Sequence, residues 1–61
     1  MTFYVRITFE HDGERLWEMV GPFDRFHAEL VCISYADTEY LYGLTWHRVL
    51  SARIVPAEMA A

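Results

Sequence analysis

Phe3-Tyr4-Val5-Arg6-Ile7-Thr8-Phe9-Glu10, followed by His11-Asp12-Gly13, is the stretch on which the fold turns. Phe3, Val5, Ile7 and Phe9 point one way; Tyr4, Arg6, Thr8 and Glu10 point the other. That two-residue period marks a strand with one buried face. Gly13 adopts positive φ at little steric cost, so the chain is expected to turn there. Glu14 to Val20 then reads as the returning strand of a hairpin. Two registers compete. A two-residue Asp12-Gly13 loop sets Ile7 against Glu18 and brings a carboxylate to the core face. A three-residue loop with Gly13 at a bulge sets Ile7 against Trp17, Val5 against Met19 and Arg6 against Glu18. A one-residue slip exchanges whole faces, so burial of Trp17 and Met19 favours the three-residue loop.

Gly21-Pro22 is expected to break the second strand. Asp24 is placed to cap a helix, with Phe23 before it as a hydrophobic staple. The helix is expected from Arg25 to about Ala36. At 3.6 residues per turn it carries two apolar stripes. Ala28, Val31, Cys32 and Tyr35 form the first; Phe26, Leu30 and Ile33 form the second. The small Ala28 and Cys32 suit close packing, which assigns the first stripe to the sheet. The second is then free to bind, unless Tyr40-Leu41-Tyr42-Gly43 folds back over it. Thr45 to Val55 reads as a last strand ended by Pro56, with Trp46, Leu50, Ala52 and Ile54 on one face.

These elements predict an α+β domain of ββαβ type over residues 1–56. Its three-stranded antiparallel sheet has order 2-1-3, with one helix packed on one face. Residues 57–61 are expected to be a frayed tail. The opposite sheet face would carry Tyr4, Arg6, Thr8, Leu16, Val20, Val49 and Val55, apolar enough to be a second candidate interface.

Composition narrows the function. A chain of 61 residues buries only about 60% of its unfolded surface. Yet 54% of this one is hydrophobic and 16% aromatic, more apolar material than one small core uses. Cys32 is the single cysteine, which rules out an internal disulfide and fits a reducing cytoplasm. The net charge is −4, and the five basic residues, all arginine, are spread along the chain. Without a basic cluster, no nucleic-acid partner is expected. The longest apolar stretch, Leu30 to Ala36, is too short to cross a bilayer, so no membrane partner is expected either.

No motif assigns catalysis. His11, His27 and His47 fall on a turn, a helix and a strand without metal-ligand spacing, so no cofactor or metal is expected. Cys32 sits among apolar helix residues, as an inert buried thiol does. Glu10, Glu14 and Glu18 are expected on the outer face of the sheet and near an exposed turn rather than in a cleft. The aromatics Phe26, Tyr40 and Tyr42 are harder to place inside. With Arg25, Leu30 and Ile33 they make the candidate protein interface, because aromatics and arginine dominate interface hot spots.

The string Trp17-Glu18-Met19-Val20-Gly21-Pro22-Phe23-Asp24, with Ala28 in the helix and a late Trp46 strand ending at Pro56, resembles small accessory proteins of actinobacterial bacteriophages. The resemblance implies a protein that acts in the host cytoplasm by binding, and inhibiting, a host protein. It carries over no functional residue. Read from the residues alone, a homo-oligomeric structural subunit and a small-ligand protein or enzyme with a site between subunits also stay open.

Overall fold

The computed structural model describes residues 1–59. It has the order β1 (Phe3–His11), β2 (Glu14–Phe23), α1 (Arg25–Tyr35), β3 (Glu39–Tyr42) and β4 (Thr45–Pro56). A short 3-10 turn, Ala57–Met59, follows. The sheet is antiparallel with order β2-β1-β4-β3. The architecture is therefore ββαββ. The expected helix and three strands are present in the expected order, and a fourth strand extends the sheet.

That fourth strand corrects the expected ββαβ. Glu39–Tyr42 pairs with Thr45–Arg48 through a two-residue turn in which Gly43 and Leu44 both take positive φ, 57° and 67°. Tyr40 and Tyr42 face inward, and Glu39 and Leu41 outward, by the alternation of a pleated strand. At the start of the expected tail, the Ala57 amide donates to the Thr2 carbonyl at 2.9 Å, beside the start of β1. Ala60 and Ala61 lie outside the described residues.

The first hairpin takes the register that burial had argued against. Ile7 pairs with Glu18, Thr8 with Trp17 and Phe9 with Leu16, across a two-residue Asp12-Gly13 loop. Asp12 and Gly13 have φ of 50° and 80°, the pattern of a turn whose twist matches that of the strands it joins. Turn geometry thus outweighed the burial of Trp17. Leu16 and Val20 go inward instead, while Trp17 and Met19 go outward. Nor does β2 stop at Gly21-Pro22. It bulges there, between the pairs Phe3–Phe23 and Val5–Val20. Gly21, at φ 140°, lets the bulge close on Tyr4: an added Cβ would lie 3.0 Å from that ring and 3.1 Å from the Phe3 carbonyl.

A second bulge reorders β4. Thr8 pairs with Ser51 but Phe9 with Val49, which leaves Leu50 as the extra residue. Before it, His47 and Val49 face inward; after it, Ala52 and Ile54 do. Trp46 and Leu50, expected on the inner face, lie outside, and Val49, expected outside, is buried.

The core is built on β1. Phe3, Val5, Ile7 and Phe9 are buried, and Ala28 and Val49 join them. The helix covers the part near Val5 and Ile54 with its first stripe, as the small residues predicted. There the Cys32 thiol donates to the Ala52 carbonyl at 3.0 Å. The other part, around Phe9, is closed by β3. Tyr40 reaches across the concave face and donates its hydroxyl to Glu18 Oε1 at 2.6 Å. Tyr40 and Glu18 stand on the two outermost strands, so the sheet must curl for them to meet.

Candidate protein-binding surfaces

Two apolar surfaces stay open once this core has formed. The first is the outer stripe of α1. Asp24 starts the helix: its Oδ1 accepts the His27 amide at 2.8 Å, and its carboxylate also meets His27 Nδ1 at 2.9 Å. These contacts hold the Asp24 carboxyl below its ordinary 3.8, the backbone amide of His27 acting most strongly. The cap and the inward pull of Ala28 fix the helix rotation, leaving Phe26 and Ile33 65% and 72% exposed, with Leu30 between them. Arg25 lies beside this stripe. It donates to Glu29 at 3.3 Å and stands 5.4 Å from the Phe3 ring.

Phe26, Leu30 and Ile33 therefore share one exposed face, with Arg25 at its edge. Tyr40 and Tyr42, grouped with them from the sequence, are half-buried on the concave side of the sheet. Their rings lie 5.3 and 5.0 Å from Phe9. The segment from Tyr40 to Gly43 does not fold over the helix stripe, because it is held in the sheet by β4.

The second surface is the convex face of the sheet, expected as a second candidate interface but built here from other residues, Trp17, Trp46 and Leu50 among them. Trp17 and Trp46 are 52% and 61% exposed, and Leu41 and Leu50 are exposed with them. Leu41 stands directly opposite Trp46. The Arg6 guanidinium lies over the Trp17 ring, 4.3 Å from its centre. The signal for this face was the Asp12-Gly13 pair itself, a strong mark of a two-residue hairpin turn. Beyond the sheet edge, Leu44 is 96% exposed at a left-handed φ that an L-residue with a bulky side chain adopts at a cost.

At the open end of the curl, the fold gathers residues that lie far apart in sequence. The rings of His11 and His47 meet edge to face at 4.9 Å, and both pack near Tyr42. His47 Nε2 lies 3.3 Å from the Tyr42 carbonyl, and His11 Nε2 lies 3.4 Å from Asp12 Oδ2. Among the described residues, no group of three or more His, Cys, Asp or Glu side chains is placed to hold a metal ion. Tyr40 is the strongly shifted group. Donation to Glu18, then desolvation and the Glu18 charge, raise its phenol from 10.0 to about 12. Among the described residues, no helix is long and apolar enough to cross a membrane.

The chain matches no model of a known protein family, no curated protein and no solved structure.

Proposed function

We propose that this chain is a protein-binding module whose partner covers apolar surface that the fold leaves open. One observation carries the reading. Ten large hydrophobic side chains are exposed among the described residues, against six residues in the buried core. Seven of the ten lie on two faces, the α1 stripe and the convex sheet. Scattered apolar residues are ordinary on a protein surface, whereas contiguous patches mark interaction sites. Leu44 adds to the case, because its position costs the fold both backbone strain and exposed apolar area.

In its finer form, the module is an accessory protein of actinobacteriophage type that acts in the host cytoplasm on a host protein. That form rests on the resemblance in Trp17 to Asp24, which here spans the β2 bulge and the helix cap. The test is quantitative recovery of partners from an actinobacterial lysate, with the wild-type protein and two folded variants, F26D/L30D and W17D/W46D. One stoichiometric protein, recovered by the wild type and lost by either variant, is the expected result. Recovery of nothing but the protein itself would replace this reading with a homo-oligomeric one.

A further inference from the structure

The convex face has a charge as well as an apolar character, and only the fold creates it. Four of the five arginines, Arg6, Arg15, Arg48 and Arg53, come together there by strand alternation, against two acids, Glu10 and Glu39. The outer two arginines stand across from those acids: Arg15 pairs with Glu10 and Arg48 with Glu39. The central two have no such offset. Arg6 and Arg53 stand directly opposite each other on β1 and β4. Like charges so placed destabilise a sheet. Arg25 is the one arginine within ion-pair distance of a carboxylate among the described residues. Arg6 Nε is buried without a hydrogen-bond partner. The next rung, Thr8 and Ser51, offers two hydroxyls, and Trp17 flanks it.

Resting on the protein-binding reading above, we propose that the convex face binds an acidic, apolar segment of a partner protein, with a carboxylate of that segment above the Arg6–Arg53 rung. Arginine presents a planar fork that suits a carboxylate, and the hydroxyls of Thr8 and Ser51 can donate to the same group. Trp17, Leu50 and Val55 supply the apolar flank. The aliphatic side chains favour a protein over a nucleic acid, whose bases stack on aromatic rings. A second copy is a poor occupant. Face to face, it would set arginines against arginines, and on its helix stripe Glu29 is already paired with Arg25.

The probe is a short synthetic peptide of Asp, Glu, Leu and Phe. It is titrated into the protein while the indole N–H signals of Trp17 and Trp46 are followed by NMR. A counterpart with Lys in place of the acids and an oligothymidylate serve as comparisons. Saturable shifts with the acidic peptide alone, weakened by salt, are expected. R53E replaces the like-charge rung with an opposite pair, so its melting temperature should hold or rise while affinity for the peptide falls about tenfold. R53Q, the milder variant, should lie between. Equal binding of the Lys peptide, tighter binding of the oligothymidylate, or no shift at saturating acidic peptide would overturn the proposal. So would indole shifts on concentrating the protein alone, which would assign the face to a second copy. If partner recovery from lysate is lost in F26D/L30D and kept in R53E, the protein-binding reading survives and this face loses its role.

Discussion

The two faces of the sheet are made from similar residues and put to opposite uses. On the concave face, Phe9 is fully buried against Tyr40, Tyr42 and His47, with ring centres 5.0 to 5.6 Å away. On the convex face, Trp17 and Trp46 stand in solvent with Leu41 and Leu50. Hydrophobicity does not separate these sets. Their position on the pleat does, and the pleat is phased by a turn and a bulge. The difference teaches that a small curled sheet has one core, and that whatever falls on its outer side is surface, however apolar.

The sharpest way to break this comparison is to truncate one aromatic on each side. Phe9→Ala is expected to cost about 3–5 kcal/mol, from lost burial and the cavity it leaves. That is a large part of the stability of so small a domain. Trp46→Ala is expected to stay within about 0.5 kcal/mol, as exposed substitutions do. Urea denaturation of both variants measures the contrast, and similar losses would mean that the convex face is part of the core.

The next effect concerns the closure of the curl. Tyr40→Phe removes the hydroxyl that spans from β3 to β2 and should cost about 1 kcal/mol, since half-exposed Glu18 regains water. The sign of the pH dependence follows from the raised phenol. The fold favours the neutral form, so this stabilisation is whole below pH 10 and is lost as pH rises towards about 12. Thermal melts across that window should show a decline in the wild type that Tyr40→Phe lacks.

The smallest effect has the opposite sign. Leu44→Gly relieves a left-handed backbone at the β3–β4 turn and should stabilise by roughly 0.5 kcal/mol, after the entropy glycine adds to the unfolded chain. Its melting temperature is the readout. A gain in stability would mark Leu44 as a residue kept for something other than folding, which the partner recovery experiment can then examine.

Much of the fold was legible because it rests on local physics. The alternation of Phe3 to Phe9 identified β1, and Asp24 identified the helix start. The small Ala28 and Cys32 identified the stripe that packs on the sheet, so the exposed Phe26, Leu30 and Ile33 were legible too. Tyr40 and Tyr42 were misplaced because a four-residue edge strand leaves a weak pattern, and its partner, β4, supplies most of the reason it forms. Trp17 was misplaced because burial decided between two registers with opposite faces, while the Tyr40 hydroxyl that satisfies Glu18 lies 22 residues away along the chain.

By itself, then, the sequence determined the strand period of β1, the reversal at Gly13, the helix and its inner stripe. Each depends on residues within a few positions of one another. Tertiary structure alone decided the phase of β4, through the bulge at Leu50, and the curl that brings β3 towards β2. It also decided the gathering of Arg6, Arg15, Arg48 and Arg53 on one face. In the sequence these arginines are scattered and imply no charged patch. Antiparallel pairing sets residues from distant strands about 5 Å apart, and a patch made that way has no trace in local spacing.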